Sequence, residues 1–330
     1  MHAHDLQRLA IAAMRTRGLK PEFSAEATLE AEAWRLQPPE PGPGVQDLRG
    51  LLWFSIDNHD TRDMDQLSFA EPLADGQARL RVAVADVAAM VRPDGAIETH
   101  AAANTTSVYT AAGVFPMLPE TLSADLSSLH EGQDRLAVVV DMRIGPDGTV
   151  GEAQLYRALV HNHARLVYEP VAAWLELDPA EAPVTGGAAP AWLRQPGLAE
   201  QLRLHDDIAT RLRQRRVDSG ALSVKTGEPR PVFEHGRLVD LRPDEKNRAK
   251  ELIADLMIAA NGATARFLAA QRYPSLRRML PAPRRWDRLV DLSRQHGGSL
   301  PAEADPRALD AFLQTRRAPH PPRLAPQDRG

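Results

Sequence analysis

The run QPPEPGPG, residues 37–44, holds four prolines and two glycines in eight positions. Each proline fixes φ and removes a backbone donor, so neither a helix nor the interior of a strand passes through it. The chain is therefore cut into a short head and a long body. In the head, Leu6, Leu9, Ile11 and Met14 fall on an amphipathic helix that stops at Gly18, and Ser24 has the character of an N-cap for a second helix reaching about Leu36. Residues 1–37 form an N-terminal helical segment, compatible with part of a helix-turn-helix or with plain packing. Residues 38–50 are a linker and residues 51–330 the main domain.

The body changes character along its length. LLWFSID (51–57), ARLRVAVAD (78–86) and LAVVVDMRI (136–144) have strand character, and the last meets TVGEAQLYRALV across the turn GPDG. From Arg165 onward helical patterns dominate: RLVYEPVAAWLEL, then residues 199 to about 217, then 244 to about 271. In the last of these Leu252, Ile253, Leu256, Met257 and Ala260 keep an apolar stripe. A short hairpin, VFEHGRLVDL, interrupts them, and the Pro- and Arg-rich tail RRAPHPPRLAPQDRG has the composition of an unpacked segment. The expected fold is α+β, a mixed β-sheet domain surrounded by long helices.

Composition narrows the function classes. With 40 basic and 44 acidic residues the net charge is -4, which leaves no global footprint for a polyanion and no polybasic membrane signature. The chain has no cysteine, so disulfides and thiolate metal sites are excluded. The N-terminus lacks an uninterrupted apolar stretch, and no run approaches the roughly 18 apolar residues of a membrane span. The expectation is a soluble, cytoplasmic, monomeric protein with no membrane partner.

Against that background, SIDNHDTRDMDQL (55–67) stands out: Asp57, Asp60, Asp63 and Asp65 crowd into nine residues with only Arg62 to balance them. Asp57 closes an apolar strand, and Asp63 and Asp65, two apart in extended chain, can point the same way. Bringing three carboxylates together costs several kcal/mol at an effective dielectric of about 20 unless a cation sits among them. An all-oxygen set favours a hard ion, Mg²⁺ or Mn²⁺. An EF-hand does not fit, since His59 and Arg62 fall where an oxygen ligand and the turn glycine belong. A solvated Asp-rich loop that binds nothing has the same spacing.

The surrounding wording decides between them. SIDNHDTRDMDQL, the ADV of VAVADV, SVYTAAGVFPMLPETLS and RLAVVV, followed by HARLVYEPVAAWL, RRVDSGAL and KNRAKELIADLMIAAN, resemble in order the catalytic domain of the ribonuclease II and ribonuclease R (RNB) family of hydrolytic 3′-to-5′ exoribonucleases. The resemblance covers roughly residues 51–278. It implies that Asp57, Asp63 and Asp65 are catalytic and hold magnesium, with Asp65 nearest the reacting phosphate. It implies that Tyr109 stacks on the RNA 3′ end, and that single-stranded RNA is hydrolysed to nucleoside 5′-monophosphates. Gln66 stands where the family has a fourth aspartate, so the metal set becomes Asp57, Asp63, Asp65 and Gln66. A catalytically weak or silent RNA binder is the alternative that this departure keeps open.

The family's later segment with its catalytic arginine, its cold-shock domains and its C-terminal OB-fold domain are not found, so the catalytic domain is expected to be a fragment or to have lost that segment. Asp86 is expected to cap backbone groups at a strand end. Two arginine clusters, Arg211, Arg213, Arg215 and Arg216, then Arg272, Arg277, Arg278, Arg284 and Arg285, fit phosphate contacts or helix-end compensation equally. His161 and His163 lack a third ligand and are expected to be structural or solvated.

Overall fold

The computed structural model describes residues 3–111, 113–177, 190–221, 229–234, 237–243, 246–276 and 285–316. The chain forms two compact units, the first comprising Met1–Leu212 with Gly227–Pro274 and the second Arg213–Thr226 with Ser275–Gly330.

In the first unit, α1 (Ala3–Thr16) ends before Gly18, whose φ of 77° is the left-handed conformation that closes a helix cheaply only at glycine. Ser24 caps α2 (Ala25–Leu36) by accepting from the Ala27 amide at 3.1 Å, as the sequence leads one to expect. The head is not a separate body. Ala27 and Ala31 of α2 pack with Met90, Ile97 and Leu122, and Glu30 Oε2 accepts from the Ala96 and Ile97 amides that open α3 (Ala96–Asn104). A carboxylate at a helix N-terminus satisfies orphan donors and meets the positive end of the dipole.

Eight strands follow in the order β1 (Gln46–Asp47), β2 (Trp53–Asp57), β3 (Gln66–Pro72), β4 (Ala78–Ala85), β5 (Val108–Thr110), β6 (Gly113–Phe115), β7 (Asp134–Ile144) and β8 (Val150–Val167). Six of them form a mixed sheet ordered β1-β8-β2-β3-β4-β7, and β7 also pairs with β8, so the ladder closes on itself. β8 makes this possible because at 18 residues it is long enough to pair antiparallel with β7 along most of its length and parallel with β2 near its end. β5 and β6 form a separate two-stranded ribbon.

Period-2 alternation sorts the side chains. One face contributes Phe54, Ile56, Leu80, Val82, Val140, Met142 and Leu166 to a large core completed by the helices α4 (Tyr168–Leu175), α5 (Leu198–Asp218) and α6 (Arg248–Ala270). The other face encloses a smaller cluster of Trp53, Met64, Leu67, Ala83, Leu129, Val139 and Val160. The stripe Leu252, Ile253, Leu256 and Ala260 is buried as expected, and α6 begins at an Asn247 cap. Among the described residues α6 alone is long and apolar enough to cross a membrane, against the sequence expectation that no run comes near this; burial of that stripe in the core accounts for its composition. The hairpin appears as β9 (Pro229–Glu234) and β10 (Arg237–Pro243). In the second unit α7 (Trp286–Gln295) and α8 (Pro306–Arg316) bury Trp286, Val290, Leu300 and Leu309 together.

One boundary differs. Residues 165–167 are strand, not helix, and α4 starts only at Tyr168. From Ala158 to Val167 buried and half-buried residues alternate without a break, because the parallel pairing with β2 buries Asn162, Ala164 and Leu166. The tail after Arg316 and Arg277, Arg278 and Arg284 lie outside the described residues.

The GPDG turn between β7 and β8 is also a packing point. Gly148 has φ 77°, and a Cβ there would overlap the Arg211 carbonyl of α5. Gly148→Ala is expected to lower stability by about 2 to 4 kcal/mol, from left-handed strain plus overpacking, read as a lower denaturation midpoint at unchanged slope.

Candidate active site

The loop 58–65 connects β2 to β3, and Met64 explains how it presents its charges. Met64 is buried in the inner cluster, so its neighbours Asp63 and Asp65 are both turned outward. The loop is tied down on two sides. Arg165 Nη2 donates to the carbonyls of His59 and Thr61 at 3.0 and 2.7 Å. On the other side, Ser128 Oγ accepts from the Met64 amide and donates to the Arg62 carbonyl, at 2.9 and 3.0 Å, while the Leu129 amide donates to the Met64 carbonyl. Arg135 in turn donates to the Ser128 carbonyl.

The carboxylates lie within electrostatic reach of one another. Asp57, 7% exposed, has its pKa pushed up to about 6, first by burial and then by the charge of Asp65, with Asp63 adding to it; a hydrogen bond from Ser55 and the charge of Arg165 oppose the rise. Its Oδ2 is buried without a hydrogen-bond partner. Asp65 stays open to solvent at one side, yet the protein around it raises its pKa, and Asp63 adds to that against a hydrogen bond from its own backbone. Among the described residues no three His, Cys, Asp or Glu side chains form a ready-made metal cage. The trio is a concentration of negative charge rather than an assembled coordination sphere.

Two tyrosines flank it. Tyr109, on β5, is 71% exposed; desolvation of its hydroxyl and then the charges of Asp63 and Asp65 raise its pKa. With Asp63, Asn58, Val114, Pro116 and Ser123 it lines a depression of about 440 Å³. Tyr168, at the start of α4, has its pKa raised by burial and then by Asp57 and Asp65. Gln66 opens β3 and is buried; its cross-strand partner is Val84, which packs on the large core, so its side chain faces the helical layer.

Sequence reasoning brought forward Asp57, Asp63, Asp65, Gln66 and Tyr109 but not Arg165 or Tyr168. Both lie in HARLVYEP, and the alternation along that stretch was the available indication that it arrives as a strand beside Asp57. Asp86 departs from expectation: it makes no helix-cap bond, and its buried carboxylate instead accepts from Arg157 Nε at 2.6 Å. His161 bonds Asp134 at 2.7 Å and His163 the Arg49 carbonyl at 2.9 Å, which are structural roles. Arg211 is held by Asp207 and the Gly76 carbonyl, and Arg213, Arg215 and Arg216 are also engaged.

The RNB domain family model matches residues 45–320, which takes in the acidic loop, both tyrosines and the helices that cover the sheet. The chain belongs to the RNB family. This RNB chain is 36% identical over 250 residues to the Ribonuclease R of Vibrio parahaemolyticus, covering 74% of this chain and 28% of that protein. It is 30% identical over 276 residues to the Exoribonuclease 2 of Salmonella typhi, covering 82% of this chain and 41% of that protein. It thus spans well under half the length of either relative. Its fold superposes with a TM-score of 0.82 on the RNase R of Mycoplasma genitalium, solved in complex with ribose methylated single-stranded RNA, at 22% identity over 94% of this chain and 48% of that one.

Proposed function

We propose that this RNB chain is the catalytic part of a Mg²⁺-dependent 3′-to-5′ exoribonuclease that hydrolyses single-stranded RNA to nucleoside 5′-monophosphates. The observation that carries the reading is that Asp57, Asp63 and Asp65 lie within electrostatic reach of one another and that Asp63 shares a depression with Tyr109, in a chain of this family. A hard divalent cation fits these residues. Two carboxyl groups are held above their ordinary pKa by desolvation and by the charge of a neighbouring carboxylate, Asp65 for Asp57 and Asp63 for Asp65, and Asp57 Oδ2 has no partner of its own. Asp57, Asp63 and Asp65 would hold the ion, with Mn²⁺ as a substitute. When bound, Mg²⁺ supplies charge neutralisation at the phosphate and a water of lowered pKa.

The chain's own residues supply the positioning. Tyr109 offers an exposed ring on which a terminal base stacks, worth about 1 to 3 kcal/mol and insensitive to sequence. Asp63, on the same depression, faces the strand end that Tyr109 would hold. The direct test is incubation of the intact protein with 5′-labelled single-stranded RNA: stepwise shortening with release of 5′-monophosphates, abolished by EDTA, supports the reading. Internal cuts or metal-independent cleavage would overturn it.

A second reading, a weak or silent RNA binder, rests on Gln66, a buried neutral side chain beside Asp65. Gln66→Asp is expected to lower the Mg²⁺ concentration giving half-maximal hydrolysis. Without metal it is expected to cost about 1 to 3 kcal/mol of stability, because the added carboxylate is buried. Identical Mg²⁺ titrations of both proteins would show that position 66 does not reach the ion.

A further inference from the structure

We propose that Arg165 is a positioning residue for the reaction, the clamp that sets the path of loop 58–65 and so holds Asp63 and Asp65 opposite Asp57. The inference rests on the functional reading above. Three like charges drive the segments that carry them apart, and the loop has little backbone pairing of its own to resist this. Its internal bond is the Thr61 amide to the Asn58 carbonyl, at 3.2 Å. Among the described residues no backbone amide donates to the carbonyls of His59 and Thr61. Arg165 satisfies both with one nitrogen.

Its own place is fixed by the sheet. Arg165 pairs with Ser55 in the parallel β2–β8 ladder, two residues before Asp57 pairs with Val167, so the guanidinium starts from a rigid strand alongside the strand that ends in Asp57. The same cation lies close enough to Asp57 to favour its anion. One side chain thus binds the loop's backbone and offsets part of the charge that would open it. The Ser128 bonds hold the far end of the loop, at Arg62 and Met64, and leave the 59–61 stretch to Arg165.

The test uses the intact protein with Arg165→Met, which keeps an apolar stem, and Arg165→Lys, which keeps the charge and N–H donors. Hydrogen exchange of the amides in residues 58–64 is expected to accelerate at least about tenfold in Arg165→Met while the sheet amides keep their protection. The turnover number for single-stranded RNA is expected to fall about a hundredfold with KM changed less than about threefold, since misplacement of about 1 Å has that effect on chemistry and not on strand capture. Arg165→Lys should restore a large part of both. Loop exchange at the parent rate, or a raised KM with turnover kept, would overturn the proposal, the latter making Arg165 an RNA contact. If Arg165→Met unfolds, the same two readouts on Arg165→Gln, which keeps a polar side chain without the charge or the reach to both carbonyls, decide. Absence of RNA hydrolysis by the parent protein would instead remove the functional reading, and loop exchange would still decide whether Arg165 is the clamp.

Discussion

Asp65→Asn is expected to reduce RNA hydrolysis by at least about a thousandfold while leaving single-stranded RNA binding within about threefold of the parent. The substitution keeps the shape of the side chain and removes the charge at the point where Asp57, Tyr109 and Tyr168 all feel it. Charge that holds a metal and meets the developing transition state matters far more to the chemical step than to capture of a strand that stacks on Tyr109. Single-turnover hydrolysis and equilibrium binding on the same oligonucleotide separate the two. Hydrolysis at the parent rate would remove Asp65 from the chemistry, and loss of binding in parallel with hydrolysis would point to a damaged fold.

Asp57→Asn is expected to inactivate the protein and, in the absence of divalent metal, to make it more stable. The Asp57 carboxyl is raised from 3.8 to about 6 by burial and by Asp65. The sign follows from linkage: a carboxyl whose folded pKa lies above its unfolded one contributes stability that is fully present below pH 3.8 and lost as pH rises through about 6. At neutral pH the folded metal-free protein therefore carries an unfavourable anion, at most about 3 kcal/mol worth, which the neutral amide relieves. Thermal or denaturant melts in EDTA at pH 7.5 should place Asp57→Asn above the parent. Between pH 7 and pH 5 the parent should gain about 1 kcal/mol relative to the variant. Adding Mg²⁺ at pH 7.5 should raise the parent's melting temperature and leave the variant's little changed. Equal stability of the two proteins at pH 7.5 in EDTA would mean that Asp57 is not under electrostatic strain.

The two effects have opposite directions on function and stability, which is the usual signature of a site that concentrates like charge for chemistry. Arg165 bears on both, since it binds the loop's carbonyls and sits near Asp57.

Much of this was legible in the chain itself. The proline-rich run forced the break after residue 37, Ser24 announced a cap, and the Leu252, Ile253, Leu256 and Ala260 stripe announced a helix with one buried face. The clustering of Asp57, Asp63 and Asp65 was visible, and the buried Met64 between the last two is the local reason both point outward. These features depend on φ, on period and on neighbours within a few residues, which a local stretch of sequence determines. What tertiary structure alone decided is which distant residues complete the site. Arg165 and Tyr168 reach the acidic loop because β8 continues to Val167 and pairs parallel with β2, about 110 residues earlier in the chain. Whether HARLV becomes strand or helix is nearly balanced in local propensity, and it is the hydrogen bonds and burial gained against β2 that tip it.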